Sequence, residues 1–440
     1  MKTKLTIKET IILGITLFGL FFGAGNLIFP VHLGQLAGSN VISATLGFIV
    51  TGVTIPILAV AAIGVTHSNG LQRMCEKKVG KKFAYFFTCL LYLTIGPFFA
   101  IPRCCTTTFT SGVYPLMNNL NEKLCLLIFS FIFFALVLYF SLKPNEIMKW
   151  VGKIITPIFL VFFSILIISA LTKSNMPIKT ITPDQSYVSG SFVNGLLEGY
   201  NTMDAIAGLA FGVIVVNCIR DLGIHDGKIV AKEIIKAGII CATLMSIIYL
   251  ASTIMGSESR ALFEISENGG IALAQIAEHY LGKLGLIVLA LTIGLACLKT
   301  AIGLVTSCSE AFVKMFPNTL NYRKWTIAFS VFSFVISNFG LTTIINYSIP
   351  VLMFLYPIAI VLTILGIFSY RTDNKIVFRC TLVGTVFAAI FDFIKTLPFN
   401  IDVSYMSKIL PFFDIGFSWI VPSIIGLIIG LVLSKRKQNE

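Results

Sequence analysis

Two short runs of glycine, amide and carboxylate residues interrupt otherwise apolar segments of this chain. They read Gly23-Ala24-Gly25-Asn26 and Glu198-Gly199-Tyr200-Asn201-Thr202-Met203-Asp204. If each run breaks a helix, the half-helix that follows offers free backbone N–H groups and a positive dipole end, which suit a carboxylate. The half-helix before it ends in free carbonyl groups, which suit an ammonium group or Na⁺. The paired runs therefore predict a binding site for a small amphiphilic solute.

Two cations also lie within apolar runs. Lys299 lies in the middle of its run, where an uncompensated lysine costs about 2.5–3.5 kcal/mol on insertion scales, so we expect it to face a polar cavity. Arg103 follows Pro97 and Pro102, and we expect its side chain to reach the outer membrane interface. Carboxylates at membrane depth are costly as well, which makes function the default interpretation of Glu198 and Asp204.

The composition identifies the solvent around these residues as lipid. Of the 440 residues, 56% are hydrophobic and only 12% are charged, and a soluble globular domain carries roughly twice that share of charge. The net charge of +13 does not indicate nucleic-acid binding, because the basic residues lie in short loops between apolar runs. The ten cysteines and four histidines are scattered, so we expect neither a metal cluster nor any other cofactor.

Twelve apolar runs are candidates for crossing the membrane, since a crossing takes about 20 residues. The first follows three lysines but is too long for a signal peptide. The sequence thus predicts one all-α polytopic membrane domain over 1–440. The candidate runs are 10–36, 41–66, 83–110, 124–142, 147–171, 190–217, 229–255, 284–313, 325–338, 342–369, 377–397 and 413–434.

Loop charge predicts the orientation of these spans. With a cytoplasmic N-terminus and alternating loops, 24 Lys and Arg residues fall inside and seven outside, with Arg103 and Lys299 in the spans. Positive residues concentrate on the cytoplasmic side of membrane proteins. The separation predicts twelve spans in a bacterial cytoplasmic membrane, with both termini in the cytoplasm.

The two interruptions lie five spans apart, so the halves that contain them have opposite orientations. Broken helices at matching places in inverted halves point to a substrate site at the repeat interface. The alternative is close packing, for which the Gly19-x-x-x-Gly23 spacing is suitable. We expect an inverted pair of five-helix repeats over 9–172 and 187–369, followed by two further helices over 376–434.

Three motifs resemble bacterial branched-chain amino acid carriers of the leucine–isoleucine–valine cation symporter family. The resemblance extends over the whole chain and implies membership of the amino acid–polyamine–organocation superfamily. It further implies the five-plus-five inverted repeat of the leucine-transporter type, with discontinuous helices 1 and 6. The motifs are Phe22-Gly23-Ala24-Gly25-Asn26-Leu27-Ile28-Phe29-Pro30, Gly199-Tyr200-Asn201-Thr202-Met203-Asp204-Ala205 and Ala296-Cys297-Leu298-Lys299-Thr300-Ala301-Ile302-Gly303-Leu304.

The same resemblance implies roles for individual residues. Backbone amides of Ala24, Gly25 and Asn26 would hold the substrate carboxylate. In sodium-coupled relatives of this fold, Na⁺ lies between helix 1 carbonyls, here those of Gly19 and Phe22, and an A-x-x-[ST]-[ST] pattern in helix 8. Here that pattern reads Ala296-x-x-Lys299-Thr300. The lysine in place of a hydroxyl leaves both Na⁺ and H⁺ open as coupling ion, because its ammonium group could replace Na⁺.

These observations favour a symporter that imports leucine, isoleucine and valine, with Phe98, Phe99 and Phe211 as candidates for the apolar wall of the pocket. The alternative within transporters is a carrier for another amino acid or a small cationic solute. A membrane enzyme would need a polar catalytic cluster and a channel would need a selectivity filter, and the sequence contains neither. The expected partners are the amino acid and membrane lipid, with no obligate protein partner.

Overall fold

The computed structural model describes residues 4–66, 70–117, 121–142, 156–173, 177–370, 374–399 and 401–439, and these ranges fold almost entirely into helices. The expected start of the fifth span near residue 147 lies outside them. The helices of the first half are α1 (Ile7–Phe21), α2 (Ala24–Ala37), α3 (Val41–Ile49), α4 (Ile55–Val65), α5 (Leu71–Lys78), α6 (Lys81–Leu93), α7 (Ala100–Thr108), α8 (Glu122–Ser141) and α9 (Thr156–Lys173).

The second half continues in the same way. Its helices are α10 (Tyr187–Tyr200), α11 (Asp204–Asp221), α12 (Gly227–Glu258), α13 (Gly269–Met315), α14 (Tyr322–Ser337), α15 (Leu341–Ile367), α16 (Lys375–Lys395) and α17 (Ile420–Asn439). Helix α13 contains a kink at Gly282, whose φ is 64°. Single π-helical turns, Val50–Thr54 and Thr94–Phe98, join α3 to α4 and α6 to α7.

Length and hydropathy qualify seven of the described helical stretches as membrane spans, or eight if α10 and α11 form one bent span. The expected twelve are not all among them. Helices α1 and α14 have only 15 and 16 residues, which is shorter than the roughly 20 that a straight crossing requires. The chain is therefore a multi-pass, all-helical membrane protein.

Small residues allow the helices on either side of the two interruptions to approach closely. A Cβ atom on Gly34 of α2 would lie 2.0 Å from the carbonyl oxygen of Thr253 in α12. In the same way, a Cβ on Gly195 of α10 would lie 2.0 Å from the carbonyl oxygen of Ala44 in α3. Backbone contact of this kind is the usual use of glycine between membrane helices. Helix α2 therefore packs directly against the backbone of α12, and α10 against the backbone of α3.

Candidate functional site

Both predicted interruptions are present, and each is shorter than the run that predicted it. Helix α1 ends at Phe21 and α2 begins at Ala24, so only Phe22 and Gly23 lie between them. Helix α10 continues through Glu198 and Gly199 to Tyr200, and α11 begins at Asp204. The helices α10 and α11 meet at an angle of 42°. Ala24, Gly25 and Asn26 therefore form the first turn of a helix, where N–H groups have no partner within the helix.

The two interruptions lie beside each other. A Cβ atom on Gly25 would be 3.6 Å from the Cα atom of Thr202 and 3.1 Å from the ring of Phe29. Thr202 belongs to the three-residue link between α10 and α11, in which Met203 adopts a left-handed conformation with a φ of 63°. Such a conformation is unusual for a residue other than glycine. The amino ends of α2 and α11 thus converge on one small volume inside the protein.

Asn26 connects the two interruptions through its side chain. Its Oδ1 accepts a hydrogen bond from the N–H of Gly23 at 3.0 Å, which caps the start of α2. Its Nδ2 donates to Oδ2 of Asp204 at 2.6 Å and to the hydroxyl of Tyr249 at 2.5 Å. Asn26 and Asp204 are both buried. The two side chains therefore bind each other and fix α2 against α11, whereas the substrate contacts expected of the Asn26 backbone amide and of Asp204 stay predictions.

Arg103 lies at this site, contrary to our expectation that it reaches the membrane interface. Its side chain is only 2% exposed. Nη1 donates to the carbonyl oxygen of Asn201 at 2.6 Å, and Nη2 donates to the hydroxyl of Ser348 at 3.0 Å. The guanidinium group also lies 5.0 Å from the centre of the Phe29 ring. A cation at the carboxyl end of a helix is favourable, so Arg103 stabilises the end of α10 with a permanent charge.

Helix α13 carries the residues of the expected ion site, and one of them, Thr300, lies next to the interruption between α1 and α2. A Cβ atom on Gly23 would lie 3.7 Å from the methyl group of Thr300, so Thr300 faces the interruption between α1 and α2. Its hydroxyl donates to the carbonyl oxygen of Ala296 at 3.0 Å. Lys299 is partly buried. The role implied for its ammonium group, to replace Na⁺ at the carbonyls of Gly19 and Phe22, stays a prediction.

Two further residues that the sequence predicted at the site, Tyr200 and Glu198, do not contact the Asn26 side chain. Tyr200 is buried and stacks on Tyr356, with ring centres 4.2 Å apart. Glu198 accepts a hydrogen bond from the side chain of Asn201 at 2.8 Å and lines a cavity of about 710 Å³ next to the end of α10. Glu198 and Tyr200 therefore lie on the α10 side of the interruption, away from the first turn of α2.

The aromatic residues proposed for the pocket wall are not at the interruptions. Phe211 lines a second cavity of about 640 Å³, between α11 and the carboxyl end of α13. Phe98 and Phe99 line a third, largely apolar cavity of about 610 Å³ beside α14 and α15. Phe29 lies next to Gly25, and Phe48 contacts Tyr249 edge to face at 5.0 Å. The aromatic side chains at the Asn26 network thus come from α2, α3 and α12, and the sequence analysis did not name them for the pocket wall.

Comparison with solved structures shows which fold this is. The inward-facing conformation of Mhp1 superposes with a TM-score of 0.66 over 97% of this chain and 91% of that chain, at 12% identity. A substrate-bound, outward-open Na⁺-coupled sialic acid symporter superposes with a TM-score of 0.52 over 97% of this chain and 96% of that chain, at 16% identity. At such identities the likeness shows a shared fold.

Comparison with known sequences shows the family. The family described as "Branched-chain amino acid transport protein" matches residues 6–437. The branched-chain amino acid permease BrnQ of Lactobacillus delbrueckii subsp. lactis is 47% identical over 99% of this chain and 100% of its own length. The permease BrnQ of Bacillus subtilis (strain 168) is 42% identical over 99% and 98%, and that of Escherichia coli (strain K12) is 32% identical over 100% and 99%. The chain therefore belongs to the family of branched-chain amino acid transport proteins, which are transporters and not enzymes.

Proposed function

We propose that this protein is a secondary active transporter that imports leucine, isoleucine and valine across the bacterial cytoplasmic membrane by symport with Na⁺ or H⁺. The observation that carries the proposal is the full-length similarity to permeases named for branched-chain amino acids, at up to 47% identity in the proteins compared. The paired helix interruptions support it, because they supply complementary backbone charges in one small volume.

The substrate carboxylate would bind at the first turn of α2. The N–H of Gly23 is already bonded to Asn26, so the amides of Ala24, Gly25 and Asn26 are the donors that remain for a ligand. The positive end of the α2 dipole favours the same anion. The ammonium group of the substrate would lie toward the carboxyl ends of α1 and α10. In this proposal the side chains of Asn26, Asp204 and Arg103 act by positioning, because they hold the helix ends at a fixed distance from one another.

The architecture around this site would be the five-plus-five inverted repeat. Membrane spans 1 to 5 would occupy 9–172 and membrane spans 6 to 10 would occupy 187–369, with two additional spans over 376–434. Twelve spans would place both termini in the cytoplasm. The sorting of basic loop residues and the similarity to the fold of Mhp1 support this arrangement. No cofactor other than the coupling ion and no obligate protein partner is part of the proposal.

Two forms of ion coupling follow from the residues near Thr300. In the first, Na⁺ binds between the carbonyls of Gly19 and Phe22 and the Ala296–Thr300 segment. In the second, the ammonium group of Lys299 moves into that position during the cycle and transfers a proton across the membrane. We favour the second form, because a lysine occupies the first hydroxyl position.

Uptake of radiolabelled leucine into proteoliposomes tests the proposal. We expect accumulation that is driven by an imposed pH gradient and inhibited by excess isoleucine or valine but not by lysine. Lys299→Thr should abolish the response to the pH gradient or replace it with a response to a Na⁺ gradient. Strict Na⁺ dependence of the wild type would contradict proton coupling by Lys299, and absence of leucine uptake under every gradient would contradict the proposed function.

A further inference from the structure

An open groove of about 380 Å³ runs along one face of α16, here called the α16 groove. Val79 and Phe83 form the wall opposite α16. The α16 residues that line it are Arg379, Leu382, Val383, Val386, Phe387 and Ile390. Val383 is 70% exposed and Phe387 is 51% exposed. Because α16 is long and apolar enough to cross a membrane, this exposed apolar face meets the acyl chains of lipid.

The length of the groove matches one leaflet of the bilayer. The lining residues of α16 recur at intervals of three and four, which places them on one face of the helix. Over the 11 residues from Arg379 to Ile390 the helix rises about 16 Å. The hydrocarbon core of a bilayer is about 30 Å thick, so one leaflet contributes about 15 Å. The groove therefore extends over the depth that a single acyl chain occupies.

Arg379 lies at one end of this apolar surface. Its Nε donates to the carbonyl oxygen of Val79 at 2.6 Å. A Cβ atom on Gly80 would lie 3.7 Å from Nη2, so the guanidinium group lies against the link between α5 and α6. The side chain is exposed, and no carboxylate pairs with it among the described residues. Its Nη groups are thus available to an anion, and guanidinium groups suit phosphate in particular.

Further positive charge surrounds the same end of the groove. Lys81 and Lys82 begin α6 and are exposed, and Lys375 is exposed one turn before Arg379. Helix α5 and the start of α6 carry five basic residues and one acidic residue. That acidic residue, Glu76, lines the second cavity instead of the groove. This end of the groove therefore favours an anion, whereas the rest of it favours hydrocarbon.

We propose that the α16 groove binds an anionic phospholipid, with Arg379 bound to the headgroup phosphate and one acyl chain lying along Val383, Phe387 and Ile390. The lipid belongs to the leaflet at which α6 and α16 begin, which is the cytoplasmic leaflet in the proposed orientation. A water-soluble phosphate would leave the apolar part of the groove uncovered. A second copy of the chain, packed symmetrically on this face, would bring the same basic residues against each other. The groove is separate from the helix interruptions, and the inference does not rest on the proposed substrate.

Native mass spectrometry of the purified full-length protein, titrated with phosphatidylglycerol or phosphatidylcholine of identical acyl chains, tests the proposal. We expect the anionic lipid to bind more tightly. Arg379→Gln should weaken its binding by about fivefold, which is the effect of one basic residue at an anionic headgroup. Arg323→Gln is the matched control, because Arg323 is an exposed arginine at the start of α14 that does not line the groove. It should bind the anionic lipid as the wild type does.

A second variant tests the acyl chain at unchanged charge. Val383→Trp places an indole ring in the groove without disturbing the core, since Val383 is exposed. It should weaken binding of phosphatidylglycerol by about fourfold, the effect of one displaced methylene group.

Three results would overturn the proposal. Equal losses in Arg379→Gln and Arg323→Gln would show a general attraction to surface charge. Binding of glycerol 3-phosphate as tight as that of phosphatidylglycerol, and dependent on Arg379, would show that phosphate alone is the ligand. A dimer that forms without lipid and is lost in Val383→Trp would show that the groove is a protein interface.

Discussion

Asn26→Asp is expected to reduce leucine uptake to background, and the exchange Asn26→Asp with Asp204→Asn is expected to restore a substantial part of it. Nδ2 of Asn26 donates to Oδ2 of Asp204 at 2.6 Å in a buried setting. The single change replaces a donor with a second carboxylate, and a buried charge left without a partner costs about 3–5 kcal/mol. The exchange places the amide on α11 and the carboxylate on α2, so one donor faces one acceptor again. Uptake into vesicles, normalised to transporter content, measures both variants.

The exchange separates two roles for Asp204. If Asp204 only fixes the distance between α2 and α11, leucine uptake depends on the presence of the hydrogen bond and not on which of the two side chains donates it. If the carboxylate of Asp204 binds the substrate ammonium group directly, moving it to residue 26 abolishes uptake. An inactive exchange variant that is inserted in normal amounts would therefore show that Asp204 is a ligand and that the positioning role is wrong.

Gly25→Leu is expected to lower leucine uptake to below about 1% of the wild type without preventing membrane insertion. A Cβ atom there would lie 3.1 Å from the Phe29 ring and 3.6 Å from the Cα of Thr202. The rest of the leucine side chain would then fill the volume between the two interruptions, beside the amides that would hold the substrate carboxylate. Uptake and surface labelling, measured on the same cells, test this expectation.

Ser164→Leu provides the control for Gly25→Leu. Ser164 is an exposed residue of α9, a helix that carries no residue of the Asn26 network, so the same side chain is added to a membrane helix outside that network and uptake should remain normal. Gly25→Ala should give an intermediate value, because only its Cβ presses on the Phe29 ring. Normal uptake by Gly25→Leu would indicate that the glycine serves helix packing alone.

The interruptions could be predicted from the sequence because glycine, amide and acidic residues are conspicuous within apolar runs. The residues at which the interruptions begin and end could not be predicted. Gly25 remains helical, and α2 begins at Ala24 because the side chain of Asn26 caps the N–H of Gly23. That cap is held in turn by Asp204 and Tyr249, which are remote in sequence. The boundary between α14 and α15, which was uncertain from the sequence, lies at Gly340, whose φ of 84° suits glycine in particular.

The misassigned residues share one cause, which is that periodicity does not reveal the face of a helix in a fully apolar run. Arg103 was expected at the interface because it follows two prolines near the end of its run. In the structure the π-helical turn at Thr94–Phe98, with Gly96 in a non-helical conformation, redirects α7 inward. Its guanidinium group then meets Asn201, 98 residues away. Phe98 and Phe99 turn toward the third cavity at the same bend.

A structure of the protein with leucine bound is the measurement that tests the central claim most directly. We expect the leucine carboxylate to lie within hydrogen-bond distance of the backbone amides of Ala24 and Gly25. We also expect the Asn26–Asp204 hydrogen bond to be retained. Leucine bound elsewhere, with the first turn of α2 left without a ligand, would contradict the claim that the paired helix interruptions form the substrate site.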